Sequence, residues 1–139
     1  MAKAVCMGIL CMIGLGNTIT IDEDVSKFVK ALKESEKYDN TLIIFTSDQG
    51  FAWGQHGFKL KVVAYDDNIK APLIISYPKK IAVNKVNNSH ISGADITPTL
   101  FDIAAIKTLW RMDGPSLTPL LDKPEQDWQH SVLMTYTIF

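Results

Sequence analysis

The sequence predicts an α/β fold, and three observations carry that prediction. A stretch after residue 19 repeats apolar residues at helical spacing. Two short uninterrupted apolar runs, Leu42–Phe45 and Leu73–Ile75, are bounded by turn-forming residues as buried strands are. The resulting order of helix, strand, loop, strand, short strand and helix belongs to α/β proteins rather than to all-α or all-β ones. With 139 residues the chain has the length of one domain or of a piece of a larger one. Hydrophobic residues make up 47% and charged residues 21%, which excludes a wholly disordered chain. The net charge of −1 supplies no field for nucleic acid or an anionic membrane, so neither is expected as a partner.

The first segment, "MAKAVCMGILCMIGLGNT", has one lysine before about a dozen apolar or small residues. It reads either as a signal peptide or as a buried helix, and it is too short to span a bilayer comfortably. Cys6 and Cys11 lie five apart within it. They form neither a disulfide framework nor a zinc pattern.

Next, "TIDEDVSKFVKALKES" sets Ile21, Val25, Phe28, Val29 and Leu32 on one helical face. Thr20 with Glu23 three residues on has the form of a capping box, and Lys30 and Lys33 lie toward the end that favours cations. "YDNT" is a turn. "TLIIFTS" is a strand, its consecutive apolar residues suited to cover on both faces. A long glycine-containing loop runs from Asp48 to about Phe58. "APLIISYP" is a second buried strand with prolines only at its ends. "HISGADITPTLFDIAAI" passes from a short strand to a helix, with Thr97 as cap and Pro98 at the first position. Leu100, Phe101, Ile103, Ala104 and Ile106 are its packing residues. Beyond Lys107 no period is clear, and Asp113-Gly114 marks a turn.

The chemistry concentrates in "TLIIFTSDQGFAWGQHGFKLK", Thr41 to Lys61. Ligands of α/β sheets collect beyond the carboxyl ends of strands, where Asp48 falls. Asp48 and Gln49 offer two hard oxygens, suited to Ca²⁺ or Mg²⁺. Two are too few for Ca²⁺, which takes about six to eight. Asp48 reads equally as a turn residue bonding its own backbone. His56 reads as a loop histidine, Lys59 and Lys61 as surface lysines, and the alternation in "KLK" turns one of those two inward. Trp53, Trp110 and Trp128 read as packing residues. No nucleophile elbow and no phosphate-cradling glycine loop is present.

Taken in order, these residues resemble the C-terminal half of the catalytic domain of type I, formylglycine-dependent sulfatases of the alkaline phosphatase superfamily. The resemblance rests on "YDNTLIIFTSDQGFAWGQHGFKLKVVAYDDNIKAPLIISYP", with Thr-Ser-Asp-Gln-Gly, then Gly-Gln-His-Gly, then a lysine five residues after the histidine. It continues through "SGADITPTLFDIAAI" and "MDGPSLTPLL", covering roughly Thr20 to Met134. The implied fold is a partial sulfatase/alkaline-phosphatase-like sheet flanked by helices, and residues 1–139 are a fragment of that catalytic domain. The resemblance implies that Asp48 and Gln49 are metal ligands for Ca²⁺. It makes Lys61 the catalytic and substrate-binding lysine on the sulfate oxygens, and places His56 at a substrate-binding position near the pocket. Gly50, Gly54 and Gly57 would supply the turns that fold the loop back over the metal. Lys59 receives no role.

The sequence also departs from that family. Its nucleophile, a Cys or Ser followed by x-Pro-x-Arg and converted to formylglycine, has no match: Cys6 precedes Met7-Gly8-Ile9-Leu10 and Cys11 precedes Met12-Ile13-Gly14-Leu15. The upstream aspartate pair, the second sulfate-binding lysine and the assisting histidines have no match either. Lys70 replaces the usual Arg before Ala-Pro, Ala105 a common Gly, and Leu109 stands where Pro is frequent. The expectation is therefore a sulfatase fragment, inactive alone, whose parent hydrolyses sulfate esters, polysaccharide sulfates among the candidates, in a periplasmic or secreted setting. Two alternatives stand beside it. One is a non-catalytic interaction module. The other is a phosphohydrolase or phosphoethanolamine transferase of the same superfamily, which shares Ser-Asp-x-Gly but not the lysine at this spacing with the downstream segments.

Overall fold

The structure is a computed structural model, and it describes residues 3–4, 15–61, 63–81 and 84–133. The reading of Cys6 and Cys11, and most of the N-terminal segment, lies outside the described residues. The chain divides into two units, Val5–Lys79 and Lys80–Phe139 with Met1–Ala4. The elements are β1 (Lys3–Ala4), α1 (Leu15–Glu34), β2 (Thr41–Thr46), β3 (Ala52–Trp53), β4 (Lys59–Leu60), α2 (Asp66–Ile69), β5 (Leu73–Ser76), α3 (Ile96–Ile103) and α4 (Thr118–Asp122). The mixture of helices with a small sheet agrees with the expected α/β class.

In the unit of residues 5–79, α1 buries one stripe. Ile21, Val25, Phe28, Val29 and Leu32 are half-buried, and every other side chain from Ile19 to Glu34 is exposed. The helical period thus located the buried face correctly. Its start was misread: the helix already runs from Leu15, so Thr20 and Glu23 lie inside it and cap nothing. At the other end Lys33 occupies the last turn, with its amine 4.9 Å over the Tyr38 ring.

A 3-10 turn at Tyr38–Asn40 leads into β2. The Thr41 hydroxyl donates to the Lys37 carbonyl at 2.7 Å, and the Tyr77 hydroxyl donates to the Asn40 side-chain oxygen at 3.1 Å. The Lys79 N–H adds a bond to the Asp39 carbonyl at 3.2 Å. Asp-Asn-Thr therefore ties the entry of β2 to the exit of β5. The two strands pair antiparallel, with Ile43 opposite Ser76 and Thr46 opposite Leu73. Leu42 and Ile44 are buried, each 2% exposed. The expectation of a second strand buried throughout is corrected here: β5 is only four residues long, and Ile74 on it is 61% exposed. Successive side chains of a strand point to opposite faces, and Leu73 and Ile75 on one face are half-buried while Ile74 on the other is open.

In the unit of residues 80–139, no strand forms at His90–Ser92, where a short one was expected. Ser92 instead makes a capping box with Asp95 over a 3-10 turn, Gly93–Asp95, that runs on into α3. Thr97 and Pro98 consequently sit within the helix rather than at its start. Leu100, Phe101, Ile103 and Ala104 are half-buried as expected, whereas Ile106 lies past the helix end and is 55% exposed. Thr99, 1% exposed, donates to the Asp95 carbonyl at 2.6 Å and accepts the Leu117 N–H at 2.8 Å. That hydroxyl joins α3 to Leu117, just before α4; Leu117 and, within α4, Leu120 are buried. Among the described residues no helix is long and apolar enough to cross a membrane.

Candidate functional site

β2 ends at Thr46, and the chain leaves the strand through Ser47, Asp48 and Gln49. The Asp48 carboxylate gathers three kinds of donor. Its Oδ1 accepts the Gln49 N–H at 2.9 Å and the Ser47 hydroxyl at 3.1 Å, the local turn bonding that an aspartate at such a position makes. Both of its oxygens also accept the Lys61 ammonium, at 2.7 and 2.8 Å. The turn reading of Asp48 thus holds, and the same carboxylate also pairs with Lys61, a partner the sequence did not suggest. Lys61 is 34% exposed and Asp48 55%. The Lys61 ammonium is the main cause holding the Asp48 carboxyl below its ordinary range; the small burial opposes it, and the Gln49 N–H and Ser47 hydroxyl assist.

Lys61 lies thirteen residues from Asp48, and the loop between them folds into a hairpin. β3 and β4 pair antiparallel, with Ala52 opposite Leu60 and Trp53 opposite Lys59. Gly54 and Gly57, at φ +115° and +76°, make the turn between them. Gly50 has a different duty. A Cβ there would lie 2.0 Å from the Asp67 carbonyl oxygen and 2.7 Å from that of Lys70. Only glycine admits this backbone approach. Gln49 closes the arrangement by donating its Nε2 to the Lys61 carbonyl at 3.3 Å.

The structure therefore brings Asp48, Gln49 and Lys61 together. His56 makes a separate contact. It sits exposed in the left-handed region at φ 53° and stacks on Tyr65, with ring centroids 4.2 Å apart and planes 16° from parallel. Phe58 lies 5.9 Å from the same Tyr65 ring. Trp53 is 61% exposed beside Phe51, at the end of the two-residue β3, which corrects its reading as a packing residue. Sequence reasoning missed Asn68, which is 3% exposed on α2 and bonded to both ends of the hairpin region. Nothing in "YDDNIK" marks it out except a polar residue just before an apolar strand.

A carboxylate and a carboxamide oxygen suit Ca²⁺ in kind. They fall short in number, because among the described residues no group of three or more His, Cys, Asp or Glu is placed to hold a metal. Both oxygens of that carboxylate already accept the Lys61 ammonium. The formylglycine group has no fitting residue, since neither cysteine stands in the sequence that conversion requires.

Residues 54–139 match the family model described as N-sulphoglucosamine sulphohydrolase, C-terminal. The chain is 33% identical over 125 residues to the N-acetylglucosamine-6-O-sulfatase of Bacteroides thetaiotaomicron, covering 88% of this chain and 22% of that protein. A solved structure holding its substrate, D-glucosamine-2-N,6-O-disulfate, superposes with a TM-score of 0.81 at 31% identity, over 88% of this chain and 25% of that one. A phosphonate monoester hydrolase from Silicibacter pomeroyi superposes with a TM-score of 0.71 at 32% identity, over 78% and 22%. The chain thus spans about a fifth of the length of the curated relative it matches.

Proposed function

Because the chain belongs to the sulfatase family described as N-sulphoglucosamine sulphohydrolase, C-terminal, we propose that Asp48, Gln49 and Lys61 are its share of a site that hydrolyses sulfate esters. The observation that supports this most is the two-point ion pair between Lys61 and Asp48, which joins residues thirteen apart at the end of β2. A lysine fixed there offers a positive point charge to a compact anion. Its N–H groups would bind the sulfate oxygens and oppose the charge that builds on them as the ester bond breaks. Before Ca²⁺ binds, Asp48 keeps that ammonium at the end of β2. Asp48 and Gln49 would hold Ca²⁺, which when bound supplies further positive charge to the sulfate.

The names of the relatives favour an O-sulfated amino sugar as the ester. The likeness to a phosphonate monoester hydrolase supports a second reading, because a phosphonate monoester presents the same compact anion. A chimera separates them. Residues 15–133 would replace the matching segment of the Bacteroides thetaiotaomicron sulfatase, and turnover of N-acetylglucosamine 6-sulfate and of a phosphonate monoester would be measured. We expect sulfate-ester cleavage that falls by about 10²–10³-fold in Lys61→Ala, the loss typical of removing one charge-stabilising donor. A folded chimera whose rate ignores Lys61→Ala refutes the reading, and cleavage of the phosphonate alone establishes the second.

A further inference from the structure

We propose that Asn68 is a positioning residue for Lys61, acting through the backbone of Leu60. This deepens the sulfate-ester reading and rests on it only for the purpose the positioned lysine serves. Leu60 has φ +74°, the left-handed region that a side-chain-bearing residue rarely adopts. Its side chain is 57% exposed, so packing does not hold it there. Such a conformation persists only where neighbouring bonds over-determine it. The bond is supplied by Asn68, whose Nδ2 donates to the Leu60 carbonyl at 2.9 Å.

The residue after Leu60 is Lys61, so the turn at Leu60 sets the direction in which the lysine leaves the hairpin toward Asp48. The same Asn68 accepts the Gly50 N–H on its backbone carbonyl at 2.8 Å. Gly50 follows Gln49 directly. One buried residue therefore fixes the position after the two oxygen donors and the position before the lysine. The Asn68 Oδ1 is buried and meets no donor among the described residues. The N–H end of this amide is the end that acts, and an apolar side chain of the same size would lose the contact to Leu60.

The test reads Lys61 rather than turnover. The 139-residue chain is treated with an amine-acetylating reagent, and the modification of Lys61 is followed by peptide mass spectrometry relative to Lys30 on α1. Asn68→Ala should raise the relative rate at Lys61 by about two- to fivefold, the range expected when a partly exposed ion pair is released. Adding Leu60→Gly should bring it back toward the wild-type value, because glycine adopts a positive φ without the steric cost that Leu60 carries. An unchanged rate in folded Asn68→Ala, or an increase that Leu60→Gly does not reverse, overturns the proposal. Should Asn68→Ala fail to fold by circular dichroism, the double variant decides. A folded double variant with wild-type labelling supports the proposal, and one that also fails to fold overturns it. Neither readout depends on sulfatase activity, so failure of the function reading leaves this result standing and the reverse holds too.

Discussion

Gly50 shows how narrowly single residues are constrained around the site. The Asp67 and Lys70 carbonyls that a Cβ would strike are backbone atoms, with no flexible end to swing aside. Gly50→Ala should therefore destabilise the chain by about 3 kcal/mol, at the upper end of what forced overpacking costs. Urea unfolding would check it, and a loss too small to measure would mean the 48–50 loop can shift away from α2. In the other unit Asp102 accepts the Ser116 hydroxyl at 2.7 Å, and that bond, helped by Thr118, holds its carboxyl below the ordinary value. A carboxyl depressed on folding contributes stability above its unfolded value, near ~4, and loses it as the pH falls through the lower folded value. Ser116→Ala should move the Asp102 titration, followed by carboxyl-carbon NMR, upward toward the ordinary range, with Thr118 still lowering it; no movement would show that the Ser116 hydroxyl is not the cause. At this scale the sequence exposed Asp48, Gln49 and Lys61 through their motif. It hid Asn68 and Leu60, because a left-handed φ at a leucine and the amide that holds it leave no mark in composition or spacing.

Among the elements, the central faces were legible and the ends were not. The stripe from Ile21 to Leu32 was readable because burial repeats with the helical period. The starts of α1 and α3 were misplaced because cap residues also occur inside helices, where backbone already satisfies the amides they would serve. The join between α3 and the segment before α4 was unreadable for another reason: it depends on hydroxyls bridging residues 14 and 18 apart in sequence, Ser116 to Asp102 and Thr99 to Leu117. Thr99→Val keeps the shape of that side chain and removes both bonds. The Leu117 N–H is then buried without its acceptor, and the expected loss is about 1–3 kcal/mol. Thermal unfolding of the variant would measure it, and wild-type stability would mean that Leu117 finds another acceptor.

For the whole molecule, the ordered motifs from Asp39 to Leu121 identified the family because each must stand at its own place along the chain. The Ca²⁺ site proposed above is incomplete among the described residues. The described residues offer one carboxylate and one carboxamide at the site, and the Lys61 ammonium rests on both oxygens of that carboxylate. One negative charge cannot neutralise a divalent ion, and affinity follows the number of charged ligands. The measurement that tests this most directly is a calcium titration of the 139-residue chain, followed by the NMR shift of the Gln49 amide, in the wild type, Asp48→Ala and Lys61→Ala. The account predicts a dissociation constant no tighter than ~10⁻⁴–10⁻³ M for the wild type, loss of binding in Asp48→Ala, and tighter binding in Lys61→Ala because the ammonium no longer competes. Micromolar binding by the wild type, or binding that ignores Asp48, would contradict it.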